Sequence, residues 1–504
     1  MGRSKIVFIG IDAADKDLIL DWASSGLMPT FRRLLERGTS GVIANPPGLY
    51  VGAVWPSFWT GQSPGHHGRY CYSQLKTGSY DFYSVNPTDT KGTPFWDHLT
   101  RAGRRSAIID VPKTSPSPRI HGIQIVDWGT HDPELGFCTS PPSLGSEVQA
   151  RFGPHPVRQC DQFVRRNDLG DLREALLLGV ERKEAMLLHF LAEGEWDLFV
   201  GVFAESHCAG HQFWSIRDPL HPRHDPALAR ALGDPLQDVY VAIDRALGRL
   251  LAEVDEQTTV FVMASHGMGP HYDGTFLLDE MLRRLQAEPT TPASRRRMAQ
   301  VAEIVWHTLP GRLRRWLKPA RTRAKRALGN AVTRLDPGAS RYFQVPNNDV
   351  YGGIRINLVS REPNGRVRPG HEYEAFSDAL TKDLLAFINL DTGKPLVRQV
   401  LRTADLYTGA RLHDLPDLLV EWDRDAPITR IHSPKTGTIE GVFRGTRSGD
   451  HKAEGLFVAT GLGISAGRLA SPVTNTRFAP TIATLLGTSI PEVSEPPIPE
   501  LIPA

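Results

Sequence analysis

Cysteine is scarce in this sequence. Its 504 residues include four, Cys71, Cys138, Cys160 and Cys208. They lie far apart and form no Cys-x-x-Cys pair, which argues against a disulfide framework or a zinc ribbon. Long apolar runs are missing as well. The opening segment, MGRSKIVFIGID, leads directly into a strand-like run too short for a signal-peptide core or a membrane span, and a cytoplasmic protein is expected. An excess of one charge is the third absence. Lys and Arg total 58 against 56 Asp and Glu, a net charge of +2, so the chain as a whole makes no case for nucleic acid as a partner. The hydrophobic fraction of 40% and the charged fraction of 23% are ordinary for a globular protein. The length suits one large α/β domain with insertions, or two domains.

What is present is an alternation of strands and helices. KIVFIGID (5–12) is a short apolar run ending in an acid, the pattern of a strand buried on both faces of a parallel sheet. Similar runs recur at RSAIID (105–110), IQIVD (123–127), WDLFVGVF (196–203), TTVFVMAS (258–265) and GLFVATG (455–461). KDLILDWASSG and MPTFRRLLERG have helical spacing and end in Gly, and longer helical stretches cover 172–193 and 227–254. The pattern implies a doubly wound, mainly parallel α/β sheet flanked by helices. Residues 1–285 are read as the first part of this core, 286–340 as an inserted basic helical cap, 341–440 as a smaller α+β portion, and 441–504 as a return to the core with a C-terminal tail.

The insertion is strongly basic from about 289 to 340, where Glu303 and Asp336 are its only acids. It reads either as a solvated face or as an attractor of an anionic substrate or membrane surface. For the latter, peripheral contact would run through 294–328, with Trp306, Leu313, Trp316 and Leu317 on its apolar side.

Functional groups in such sheets gather beyond the carboxyl ends of the strands. Asp12 closes the first strand run, His207 follows 196–203, Ser265 and His266 end and follow 258–265, and His451 stands just before 455–461. His211 lies four residues after His207. Any one of the 18 histidines is more often a surface or hydrogen-bonded residue than a ligand. Their placement at strand ends is what suggests one or two nitrogen-rich metal sites. Cys208 reads as a small packing group, Trp55, Trp59 and Trp214 as core, and His221 and His224 as solvated loop residues. His66 and His67 read as structural, with HHG fixing the turn after a helix. Pro56 suits the first turn of a helix, which would put Ser57 near a helix N-terminus, where an anion is stabilised.

These segments resemble, in order, those of the alkaline phosphatase superfamily in its nucleotide pyrophosphatase/type I phosphodiesterase branch. FIGIDAAD is similar to the strand whose Asp binds a metal, here Asp12. WPSFWTGQSPGHHG resembles a segment ending in T-G-x-x-P-x-x-H-G, and ESHCAGH an E-x-D-x-x-G-H motif. ASHGMGP resembles S-D-H-G-[FM]-G-P, GDHKAEG the motif that supplies a last histidine, and FAPTIATLLG the terminal helix. The resemblance implies an alkaline-phosphatase-like fold and two-metal hydrolysis of phosphate esters, most often a phosphodiester or pyrophosphate-type bond.

Three positions depart from that pattern. His207 stands where the resemblance expects Asp, Ser265 where it expects Asp, and Val51, which has no hydroxyl, at the nucleophile position. The implied ligand set is therefore Asp12, His207, His211, Ser265, His266 and His451. His207, His211 and His451 make one firm site for a divalent metal, zinc by preference and Mn or Fe as alternatives. The second site, with Asp12 and His266, is weak or absent. Metal-bound water replaces the missing nucleophile in this reading, and Ser57 is the nearest alternative hydroxyl. An anionic small molecule is the expected substrate. Two alternatives stay open: an altered reaction on the same fold (group transfer, sulfate or phosphonate chemistry), or a non-catalytic anion-binding homologue.

Overall fold

The computed structural model describes residues 5–162, 168–286 and 335–503. Apart from Gln286 and residues 335–340, the basic cap expected at 286–340, with its 294–328 stretch, lies outside the described residues. The chain forms two compact units, one of residues 1–69, 86–271 and 446–504, the other of residues 70–85 and 272–445.

The first unit is built on a ten-stranded sheet. At its centre lie five mutually parallel strands, in the order Thr259–Ala264, Ile6–Ile11, Leu198–Phe203, Ser106–Ile109 and Gly122–Val126. Ile6–Ile11 and Leu198–Phe203 are buried along their whole length, as continuous apolar runs covered on both faces must be. Gly10 is needed in the first of them, because a Cβ there would lie 2.8 Å from the ring of Trp55. Register sets the functional edge. Ile11 pairs with both Phe203 and Ala264, so the three chains leave the sheet side by side at their carboxyl ends.

The strands expected from the sequence are present, with one difference in direction. Glu454–Thr460 runs antiparallel to both its neighbours, Thr259–Ala264 and Thr39–Ala44. It follows directly on Gly449–Lys452, which pairs antiparallel with Gly267–Pro270, and so it enters the sheet from the functional edge. The helical stretch expected over 172–193 is the 26-residue helix Asp168–Glu193. That over 227–254 is two helices, Pro226–Leu232 and Pro235–Ala252. Gly233 in a positive-φ turn (φ 68°), Asp234 capping the next helix and Pro235 in its first turn make the break.

The second unit has its own core. A four-stranded antiparallel sheet runs in the order Tyr342–Val345, Tyr351–Ile356, Leu418–Trp422, Val397–Arg402. Leu278 and Met281 of helix Thr275–Gln286 pack with Ile354, Val420 and Trp422. Helix His371–Leu385 adds Leu380 and Leu384 to the same cluster. No helix among the described residues is long and apolar enough to cross a membrane.

One buried ion pair underlies the functional edge of the first unit. Lys183, on helix Asp168–Glu193, donates to Asp110, which follows strand Ser106–Ile109, and both side chains are fully buried. Asp110 also accepts from the backbone N–H groups of Trp128 and Gly129, both at 2.8 Å. Removing the cation would leave this carboxylate uncompensated in an apolar surround. Lys183→Met is therefore expected to cost about 3–5 kcal/mol of stability, read as a lowered midpoint of urea denaturation.

Candidate functional site

The site is assembled from strand ends and from one helix that begins at a strand end. Helix Glu205–Arg217 starts two residues after Phe203, and its first ten residues are buried. His207 and His211 lie on adjacent turns of it. His266 follows strand Thr259–Ala264, and His451 lies in strand Gly449–Lys452. The rings of His207, His211 and His451 meet with centroids 4.8 or 4.9 Å apart, and His266 lies 4.8 Å from His451. The four histidines singled out from sequence thus form one buried cluster.

Asp12 lies at the floor of this cluster with every oxygen engaged. Its Oδ1 accepts from Trp55 Nε1 at 2.7 Å and from the Ser265 hydroxyl at 3.1 Å. Its Oδ2 is 2.6 Å from Nδ1 of His207, and its carbonyl accepts from the Ser206 hydroxyl at 2.6 Å. Burial works against the Asp12 charge, but the neighbouring His207 and the donated hydrogen bonds outweigh it and hold the carboxyl below its ordinary range. Ser265 Oγ is also 2.9 Å from Nδ1 of His266. The structure therefore brings Asp12, Ser265 and His266 together, joined by hydrogen bonds.

Tautomers follow from the partners. The Nδ1–H of His207 points to the Asp12 carboxylate, and that of His211 to the carbonyl of Gly449 at 2.8 Å. Each ring then turns an unprotonated Nε2 inward; the two are 3.1 Å apart, and that of His211 also accepts from the Arg447 guanidinium at 3.2 Å. Burial pushes His207 down to about 3 and His266 to about 4, and it holds His211 and His451 well below the usual imidazole range. Two unprotonated lone pairs at this separation repel unless a cation lies against them. The donor set therefore fits a nitrogen-preferring divalent ion.

Sequence reasoning missed several neighbours. The ring of His131 stacks on His207 with centroids 3.9 Å apart. His131 lies beyond the carboxyl end of strand Gly122–Val126, so the strand-end criterion that found His207 would have found it too. Asp127 holds its loop by accepting the backbone N–H groups of Glu134, Leu135 and Gly136 at 2.9–3.0 Å. Arg447 places one guanidinium nitrogen 3.2 Å from Nε2 of His211, and the other 2.8 Å from Asp161 and 3.2 Å from Asp132. No spacing in the sequence marks Asp161 as its partner. Non-glycine residues with positive φ follow the same strand ends: Ala13 (52°), Asp110 (57°), Lys113 (61°) and Asp127 (55°). Such backbone costs free energy and tends to collect at functional edges.

Ser57 is placed differently from expectation. The helix runs Tyr50–Thr60 with Pro56 inside it, so Ser57 is in its last turn and Val51 in its first. A turn at Pro46–Leu49, with Gly48 at φ 71°, restarts the chain earlier than the proline suggested. Gly52 stands four residues before Pro56, where a Pro ring crowds the backbone. Ser57 is fully buried and lies 3.0 Å from Nε2 of His67. Nδ1 of His67 accepts from the N–H of Arg69, so Nε2 carries the proton and donates it to Ser57.

Two predictions follow from this packing. Helix Glu205–Arg217 reaches strand Gly449–Lys452 by backbone contact, since a Cβ on Gly449 would lie 2.1 Å from the carbonyl oxygen of Gly210. Gly449→Ala should cost about 2–3 kcal/mol by chemical denaturation. His67 supplies the second. Burial, helped by the charge of Arg69, pushes it from 6.5 to about 3. The unfolded chain takes up a proton there that the folded chain refuses, so stability is complete above the unfolded value and falls as pH drops below it. The slope is about 1.4 kcal/mol per pH unit. His67→Asn should flatten the profile of unfolding free energy between pH 6 and 4, and parallel profiles for the two proteins would refute the assignment.

The family model for type I phosphodiesterase / nucleotide pyrophosphatase matches residues 6–443. No curated protein sequence matches significantly. Among solved structures, phosphonoacetate hydrolase from Sinorhizobium meliloti 1021, in complexes with phosphonoformate and with phosphonoacetate, superposes with a TM-score of 0.52 at 13% identity, over 96% of each chain. Human ectonucleotide pyrophosphatase / phosphodiesterase 5 gives a TM-score of 0.48 at 11% identity, over 97% of each chain. The first of these likenesses supports the alkaline-phosphatase-like fold, and the match over most of the sequence shows that this chain belongs to the type I phosphodiesterase / nucleotide pyrophosphatase family.

Proposed function

We propose that His207, His211 and His451 hold one divalent metal, zinc by preference, at which this chain hydrolyses a phosphodiester or pyrophosphate-type bond. Membership of the family makes it a metal-dependent hydrolase of phosphate esters. The observation that carries the detailed reading is the pair of unprotonated Nε2 atoms of His207 and His211, facing each other at 3.1 Å. When bound, the metal neutralises the transferring group and acidifies water.

The remaining roles belong to the chain. Asp12 fixes the tautomer and orientation of His207, as a carboxylate behind a metal-binding imidazole does. With its oxygens already taken by Trp55, Ser265 and His207, it adds little to a second metal, so Ser265 and His266 make at most a weak site. Arg447 presents a guanidinium beside His211 for an anionic substrate. Val51 occupies the first turn of helix Tyr50–Thr60 without a hydroxyl, and Ser57 is turned to His67. Attack by water without a covalent enzyme intermediate suits this arrangement.

The test is turnover of an aryl phosphodiester by the purified chain. Chelator and His211→Ala should each lower it by at least about a thousandfold. In oxygen-isotope-labelled water, which keeps the product phosphorus chiral, a phosphorothioate diester chiral at phosphorus should be hydrolysed with inversion. Retention would disprove direct attack by water, and unchanged turnover in His211→Ala would disprove the metal site. A second reading, in which the same site acts on a phosphonate or sulfate, rests on the altered ligand positions His207 and Ser265. Turnover of phosphonoacetate with none of any phosphate ester would select it.

A further inference from the structure

Three ligand-type atoms that the proposed hydrolysis does not use meet beside the histidine cluster. Nδ1 of His131 lies 3.3 Å from Sγ of Cys208 and 3.7 Å from Sγ of Cys160, and all three atoms are within 4.8 Å of one another. A zinc ion with bonds of about 2.3 Å to sulfur and about 2.05 Å to nitrogen needs tetrahedral edges of about 3.5 Å for S···N and about 3.8 Å for S···S. The two measured S···N separations bracket the first of these.

We propose that His131, Cys160 and Cys208 form a second, thiolate-rich site for a zinc-class ion, distinct from the three-histidine site. Charge balance suits its surroundings. Two thiolates and one neutral imidazole cancel a divalent ion, so the complex is neutral where Cys160 and Cys208 are buried. The far nitrogen of His131 lies 3.2 Å from the Asp132 carboxylate, the partner that orients an imidazole toward a metal. Soft sulfur donors also separate this site from the nitrogen-only set beside it.

The three ligands come from separate parts of the chain. His131 is on the loop anchored by Asp127, Cys160 opens the short 3-10 helix Cys160–Gln162, and Cys208 is on helix Glu205–Arg217. That short helix is already tied to the long one by Gln212, whose amide donates to Asp161 at 3.0 Å. An ion bound here pins all three segments. Because Cys208 lies between His207 and His211, and His131 stacks on His207, it also steadies the histidine cluster. Binding requires each thiol to lose a proton, so the site fills as pH rises.

The experiment uses the full chain, reduced and stripped of metal, titrated with Co2+ as an optical probe. The His211→Ala variant serves as the background, since it disables the three-histidine site. A near-ultraviolet sulfur-to-cobalt charge-transfer band is expected there. The band should vanish in Cys160→Ser and in His131→Ala, and persist in Cys71→Ser and Cys138→Ser. Far-ultraviolet circular dichroism identifies any variant that has unfolded, and Cys160→Ala then replaces Cys160→Ser. Zn2+ should raise the melting temperature of the His211→Ala protein and not that of His211→Ala/Cys160→Ser. Three results would overturn the proposal: Co2+ binding without a thiolate band, a band unaffected by Cys160→Ser, or a native Cys160–Cys208 disulfide whose reduction yields no metal binding. None of these readouts depends on ester hydrolysis, so failure here and failure of the proposed function are distinguishable.

Discussion

The buried Asp12 carboxylate is the junction on which the functional edge depends. It ends the central strand and receives hydrogen bonds from helix Tyr50–Thr60 through Trp55, from the end of strand Thr259–Ala264 through Ser265, and from helix Glu205–Arg217 through His207. A carboxylate in an apolar interior is costly unless its lone pairs are filled. Here the donors that fill them also position the histidines. The same atoms that make the charge tolerable set the tautomer of His207, and with it the direction in which the ring's free nitrogen points.

Around that junction the chain gathers imidazoles that burial keeps neutral. Clustered bare nitrogens are unfavourable in isolation, because lone pairs face one another. The compensation within the chain is cationic: Arg447 donates toward His211 while Asp161 and Asp132 hold its guanidinium. The proposed metal and an anionic substrate would meet at this arrangement. Below it, the Lys183–Asp110 pair and the anchored 127–136 loop supply a rigid support, in the way that stable elements position groups carried on loops. His207 and Ser265, the two positions where the resemblance expects Asp, both act on Asp12. The serine hydroxyl and the histidine N–H are both donors to Asp12, which turns that carboxylate from a candidate ligand into a hydrogen-bond acceptor.

Much of this was legible in the sequence. Apolar runs ending in Asp, Ser or just before His marked strands and their functional ends, since a parallel sheet puts those ends on one edge. The direction of strand Glu454–Thr460 was not legible, because an apolar run reads the same whichever way it pairs. A proline usually opens a helix, whereas here the turn at Pro46–Leu49 starts the helix earlier and leaves Pro56 inside it and Ser57 in its last turn. His131 and Arg447 were overlooked among ordinary loop residues, although His131 satisfied the strand-end criterion. The approach of Cys160 to His131 and Cys208 carries no local signal, because Cys160 stands 48 positions before Cys208.

By itself the sequence determined the alternating fold, the strand ends at which Asp12, His207, Ser265, His266 and His451 stand, and the absence of a hydroxyl at Val51. These are properties of residue type and local order, and local order suffices to read them. Only the tertiary structure decided which nitrogen each histidine turns inward, that Asp12 is saturated by Trp55, Ser265 and His207, and that His131 meets two cysteines. Those outcomes depend on hydrogen bonds and contacts between residues dozens to hundreds of positions apart. Such contacts exist only once strand register and backbone approaches, such as that of Gly210 to Gly449, have brought the segments together.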